Sequence, residues 1–138
     1  MNTDKTAKRV IALGFFDGVH IGHGALLAKA KALAATYGAT AAAFSFAKPP
    51  KELILGRPIP LLSTPEERES LMRSLYRIDE VIFAPVDERM QHTSWQNFIA
   101  MLRRDYGAVH LVAGHDFRFG YKNEGDGESS WRSAGVSA

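Results

Sequence analysis

Apolar positions along the chain change period in a regular way. Val10, Ile11, Ala12 and Leu13 form a short unbroken run that stops at Gly14, which suits a strand buried on both faces. From His23 onward Leu26, Leu27, Ala30, Leu33, Ala34 and Tyr37 recur at helical spacing, so a helix follows. Gly38 ends it, and residues 39–46 read as a second strand. Thr64, Pro65 and Glu67 supply an N-cap, a first-position proline and the return half of a capping box. Leu71, Met72, Leu75 and Tyr76 then mark the apolar face of a second helix, and residues 80–84 a third strand. Thr93 and Gln96 form a second capping box before a helix with Trp95, Phe98, Ile99, Leu102 and Tyr106 on one stripe. Residues 108–113 complete a fourth strand. Strands alternating with helices predict an α/β fold, a Rossmann-like parallel sheet flanked by helices and joined by right-handed crossovers.

Open parallel sheets take their ligands in the crevice beyond the carboxyl ends of the strands. The chemically distinctive segments fall there: His20 and His23 after the first strand, residues 46–50 after the second, 85–87 after the third and 114–120 after the fourth. The first of them, GFFDGVHIGH, is a strand-to-helix turn. Such a turn offers unpaired backbone N–H groups and the positive end of a helix dipole, and Gly18 and Gly22 remove side chains that would block a phosphate. His20 and His23 can reach the same anion, donating hydrogen bonds to charge that builds on phosphate oxygens. Asp17 can orient an imidazole or hold a hydrated Mg²⁺. The same two histidines also fit surface residues or half of a metal site. Zinc fits poorly, because the chain has no cysteine and no further ligands stand at metal-site spacing.

Composition narrows the class. A chain of 138 residues with 46% hydrophobic content supports one domain with a core and excludes general disorder. The absence of cysteine removes disulfides and thiol catalysis and accords with a cytoplasmic protein. A net charge of +2 gives no footprint for nucleic acid. The alanine-rich stretch 25–43 contains Lys29, Lys31 and Gly38 and reads as helix, turn and strand, so no membrane span is expected. Residues 1–122 form the expected α/β domain and residues 123–138 a polar, flexible tail. Trp95 reads as a core anchor. Arg68, Arg73, Arg77, Arg103 and Arg104, interspersed with acids, read as solvated helix faces.

The string GFFDGVHIGHGALL resembles the HxGH nucleotidyltransferases, and within them the FMN adenylyltransferase module of bacterial bifunctional riboflavin kinase/FAD synthetases, whose signature is G-x-F-D-G-V-H-x-G-H. Gly114, His115, Asp116, Phe117, Arg118, Phe119 and Gly120 are similar to that family's G-x-D-F-R-F-G flavin-side signature. The resemblance spans roughly residues 9–125. It implies His20, His23 and Asp17 as catalytic residues and Gly14, Phe15, Phe16, Gly18 and Gly22 at the nucleotide, with Lys48 a further candidate there from this chain's own sequence. It also implies Gly114, Asp116, Phe117, Arg118, Phe119 and Gly120 at the flavin. The ligands it implies are ATP with Mg²⁺ and FMN, with FAD as product. By alternation alone, Phe117 and Phe119 serve equally to plug the loop into the core while Asp116 and Arg118 face solvent.

Three departures accompany the resemblance. Where relatives show T-F-x-P-H-P this chain has Ser45, Phe46, Ala47, Lys48, Pro49 and Pro50; Lys48 is either a replacement cation for phosphate or a solvated lysine. Phe15 stands where many relatives carry asparagine. Relatives also continue to an S-S-T-x-x-R phosphate motif and a riboflavin kinase domain, whereas Ser129, Ser130 and Arg132 come too soon after Gly120 for the intervening strand and helix, so the module reads as incomplete at its C-terminus. The reading is adenylylation of FMN by ATP, releasing pyrophosphate. The alternatives are transfer from ATP or CTP to another phosphorylated acceptor, or a truncated nucleotide- or flavin-binding domain with little turnover.

Overall fold

The computed structural model describes residues 8–14, 16, 21–46, 64–84, 93–113 and 136–137. In chain order these form β1 (Arg9–Leu13), α1 (Ile21–Tyr37), β2 (Thr40–Phe46), α2 (Pro65–Tyr76), β3 (Glu80–Ala84), α3 (Trp95–Tyr106), β4 (Ala108–Ala113) and β5 (Val136–Ser137). The strands make one sheet in the order β3-β2-β1-β4-β5, and every pairing is parallel. Chain order therefore runs outward from β1 to β3 and then jumps back to β4. The reversal lies between β1 and β4, the switch point at which doubly wound sheets open a crevice.

Two apolar layers cover the sheet. On one face Ile11, Leu13, Phe44 and Phe46 pack with Phe98, Ile99 and Leu102 of α3. On the other, Val10, Ala12, Ala41 and Ala43 pack with Leu27, Ala30 and Ala34 of α1 and Met72 of α2. The alanines facing each other across that second layer let α1 lie close to the sheet. Among the described residues no helix is long and apolar enough to cross a membrane.

The elements follow their local signals with informative exceptions. Thr64 Oγ1 accepts from the Glu67 N–H at 3.1 Å and Glu67 Oε1 accepts from the Thr64 N–H at 3.1 Å, the expected capping box. Gly38, at φ 62°, closes α1. At α3 the cap is Ser94, whose Oγ accepts from Asn97 N–H at 3.2 Å; this single cap bond, one residue later, stands in place of the box expected of Thr93 and Gln96. Leu75, expected on the apolar face of α2, is 63% exposed. The inward residues are instead Arg68 and Met72, flanked by Leu71 and Tyr76. Arg68, expected in solvent, is fully buried. Helix α1 begins at Ile21, so Gly22 and His23 both lie in its first turn. Val136 and Ser137, within the segment expected as a tail, pair with Leu111 and Val112 of β4. The side chain of Trp95 lies outside the described residues.

Arg9 ties the amino-terminal edge of the sheet together. Its side chain is 1% exposed; Nε and Nη2 donate to Glu80 Oε1 and Oε2 of β3 at 2.9 and 3.3 Å, and Nη1 donates to the Tyr106 carbonyl at the end of α3 at 2.9 Å. A buried charge stripped of one partner is strongly destabilising. Glu80→Gln should therefore cost about 3 kcal/mol in urea unfolding, and the double variant Arg9→Met, Glu80→Leu should recover most of it.

His110 of β4 stacks on Tyr37 at the end of α1, with ring centroids 5.6 Å apart and an interplanar angle of 26°. Burial and the neighbouring Lys29 charge hold its pKa below the ordinary histidine value. The folded state then binds fewer protons at this site than the unfolded chain. The stability this contributes is present above the ordinary value of about 6.5 and lost as the pH falls through the folded pKa. Between about pH 7.5 and about pH 5, the urea midpoint of the wild type should fall further than that of His110→Gln.

Candidate functional site at the β1–α1 turn

The turn after β1 starts as a continuation of the sheet. Gly14 N–H donates to the Phe44 carbonyl at 3.1 Å, so pairing with β2 runs one residue beyond the strand. Phe16 then takes a left-handed backbone conformation, φ 61°, which costs a bulky residue about 1–2 kcal/mol. Tertiary packing holds it there. The Phe16 ring is fully buried in the layer that contains Val10, Ala12 and Leu27. It also lies so close to Gly14 that a Cβ on that glycine would sit 2.8 Å from Phe16 Cζ. Gly14 thus has a packing role, and the Phe16 side chain presents no surface to a nucleotide. Both residues have main chain to offer a ligand.

The ring of Phe16 meets His23 edge-on, centroids 5.2 Å apart and planes at 72°. His23 is partly buried in the first turn of α1. The first four N–H groups of a helix have no intrahelical acceptor and carry the positive end of its dipole. Ile21, Gly22, His23 and Gly24 place no carboxylate in that turn, so these four residues bring no negative charge against an anion. The imidazole, a hydrogen-bond donor that becomes cationic near neutral pH, sits at a terminus already suited to phosphate.

Gly24 has a packing role that sequence reasoning missed. A Cβ there would fall 2.7 Å from the Tyr76 hydroxyl oxygen, so the first turn of α1 docks tightly on the end of α2. The signal was its cost: glycine in a helix is about 1 kcal/mol worse than alanine, and here two of them flank one histidine. Arg68 was missed as well, although it precedes Leu71, Met72 and Tyr76 at helical spacing and so falls on the apolar stripe. Its Nη1 donates to Ser45 Oγ at 3.1 Å and to the Phe46 carbonyl at 3.0 Å, at the carboxyl end of β2.

Of the residues expected at the site, Gly14, Phe16, Gly22 and His23 lie among those described, gathered where β1 passes into α1. Phe15, Asp17, Gly18, His20 and Lys48 lie outside them, as do Gly114, Asp116, Phe117, Arg118, Phe119 and Gly120, and residues 129–132. The register nonetheless brings their strands together. Leu13 pairs with Phe44 on one side and with Ala113 on the other, so the segments beginning at residues 14, 47 and 114 leave the same edge of three adjacent strands.

A sequence model described as FAD synthetase matches residues 2–134, beyond the stretch whose motifs first suggested the resemblance. The bifunctional riboflavin kinase/FMN adenylyltransferase of Listeria monocytogenes is 31% identical over 119 residues, covering 85% of this chain and 38% of its own length. The enzyme of the same description from Bacillus subtilis is 33% identical over 126 residues, covering 88% and 39%. The chain thus spans about two fifths of the length of these relatives. A solved structure from Streptococcus pneumoniae, described as a macrolide-efflux protein, superposes with a TM-score of 0.74 at 25% identity, covering 86% of this chain and 40% of that one.

The contact between Gly14 and Phe16 is open to test. Gly14→Ala drives a methyl into the Phe16 ring and should destabilise the fold by about 1–3 kcal/mol, as overpacking does. The shift of the Phe16 ring should move the His23 imidazole resonances in NMR spectra. Unchanged stability and unchanged His23 signals would contradict the packing described.

Proposed function

This chain belongs to the FAD synthetase family, and on that premise we propose that it adenylylates FMN with ATP, forming FAD and pyrophosphate. The observation that carries the reading is His23 in an acid-free first helical turn at the carboxyl edge of the sheet, within a chain that the family matches almost from end to end. The curated relatives named above bear this activity in their descriptions.

The chemistry asks little covalent work of the protein. An oxygen of the FMN phosphate attacks the α-phosphorus of ATP, a new P–O bond forms, and the bond to pyrophosphate breaks with its electrons leaving on that group. The nucleophile is already anionic, so no Ser or Cys with an activating base is needed. What must be supplied is alignment and neutralisation of the charge that grows on the departing phosphates. His23 and the N-terminus of α1 serve the leaving pyrophosphate; His20 is assigned to the same task and Asp17 to orienting an imidazole. Gly18 and Gly22 allow the triphosphate to approach main chain. ATP enters as its magnesium complex, the ion carried on phosphate oxygens and water. The segment with Asp116, Phe117, Arg118 and Phe119 is assigned to FMN: aromatic faces suit the isoalloxazine and a guanidinium fork suits its phosphate. Lys48 is assigned to the ATP phosphates. We place the reaction in the cytoplasm.

The purified chain, given FMN and magnesium ATP, should form FAD, detected by chromatography, with stoichiometric pyrophosphate. His23→Ala should slow that step on the order of a hundredfold, the usual effect of losing one transition-state donor. CTP in place of ATP, and flavin-free phosphorylated acceptors, test the neighbouring transfer reactions. FMN and ATP binding without product would favour a binding domain, and equal rates for wild type and His23→Ala would remove His23 from the site.

A further inference from the structure

Arg68 and Met72 are the buried residues of α2, and the guanidinium of Arg68 is fully excluded from solvent. A methionine at this helical phase would fill the same stripe without any loss of hydration, whereas a buried charge gives up its water. What arginine adds is a rigid fork of donors. One nitrogen of that fork, Nη1, spans two acceptors: the Ser45 hydroxyl at 3.1 Å and the Phe46 carbonyl at 3.0 Å. The guanidinium also lies over the Phe83 ring, Cζ 5.1 Å from its centroid.

These contacts share one location. Ser45 and Phe46 are the last two residues of β2, and Phe83 is the penultimate residue of β3. One side chain thus holds the carboxyl ends of two adjacent strands, the edge at which sheets of this kind take their ligands. Phe44, one residue before Ser45, accepts the Gly14 N–H that opens the turn toward His23. Movement of the end of β2 would therefore be passed to that turn.

We propose that Arg68 is a positioning residue for nucleotidyl transfer. From beneath the ligand edge it fixes the end of β2 and, through the Phe44–Gly14 hydrogen bond, the turn that leads to His23. The proposal rests on the transfer reaction assigned above. Arg68 acts through the strand end and not by touching substrate. Arginine suits the place because its Nη1 donates to both acceptors while the planar guanidinium lies over the Phe83 ring; a lysine ammonium keeps the charge and the donors but lacks that planar face.

The test compares wild type with Arg68→Met, Arg68→Lys and Ser45→Ala. It reads kcat and the ATP KM for FAD formation, the urea midpoint, and hydrogen exchange at the Gly14 amide. Arg68→Met should remain folded yet lose about tenfold to a hundredfold in kcat, on the scale that about 1 Å of misplacement produces. Its Gly14 amide should exchange faster while core amides of α1 stay protected, a local change that altered global stability would not produce. Arg68→Lys should recover part of the rate. Ser45→Ala should lose a few-fold and add little further loss when combined with Arg68→Met, because both act through one contact. A folded Arg68→Met with wild-type kcat and wild-type Gly14 exchange overturns the proposal. If Arg68→Met does not fold, wild-type kcat in both Arg68→Lys and Ser45→Ala overturns it equally. A wild-type chain that forms no FAD removes the assigned reaction and this role with it, whereas an active wild type with unaffected variants removes the Arg68 role alone.

Discussion

Strand β1 hydrogen-bonds in parallel to β2 on one side and to β4 on the other, and every residue from Arg9 to Leu13 is buried. It has no freedom to slide. A shift of one residue would exchange its two faces, sending Ile11 and Leu13 away from α3 and carrying the Arg9 guanidinium into the alanine-lined layer beneath α1. Arg9 pins the register at the amino edge through Glu80 and the Tyr106 carbonyl. Gly14 pins it at the carboxyl edge through Phe44. The candidate site starts one residue after that second pin, so its placement follows from the register of a central strand.

Around His23 the chain accepts local costs for a defined geometry. Phe16 occupies a backbone conformation that disfavours it, Gly14 forgoes a side chain so that the Phe16 ring can tuck beneath the strand end, and Gly24 weakens a helix so that α1 can meet Tyr76. Each cost is of order 1 kcal/mol. Together they hold one imidazole edge-on against a buried ring at the start of a helix. Groups fixed before charge develops need no reorganisation when it does, the condition under which electrostatic stabilisation of a transition state is most effective.

Among the described residues, the two fully buried arginines divide the sheet between them. Arg9 works at the edge remote from the crevice, where a carboxylate and a helix-terminal carbonyl receive it. Arg68 works at the crevice edge, where it holds the end of β2 from below. A buried ionic group adds little net stability over an apolar one, yet losing its partner is costly. That asymmetry suits residues that define where strand ends lie.

The run at residues 10–13, the helical spacing after His23 and the Thr64–Glu67 capping box are local patterns set by neighbours a few positions apart. They were therefore legible in the sequence, as were the order of strands and helices, the parallel sheet and the glycine-flanked HxGH string that marks the family. Other features depended on partners far along the chain. Arg68 and Leu75, seven residues apart, lie on nearly the same helix face, and it is their position along α2 that separates them: Arg68 reaches Ser45 and Phe46, while Leu75 near the helix end is left exposed. The cap of α3 moved from Thr93 to Ser94 because two adjacent hydroxyl residues offer equivalent local chemistry. The pairing of Val136 with Leu111 joins residues 25 positions apart by main-chain hydrogen bonds, which a polar, glycine-rich context does not announce. Phe16 was expected at the nucleotide from its motif; its side chain is buried in the core, where Gly14 leaves room for the ring. Composition, periodicity and motif thus determined the fold class and the chemistry to expect. Which side chains face the core, the crevice or solvent was decided by contacts between elements, because a side chain's free energy there depends on the shape and polarity of a partner that sequence neighbours do not encode.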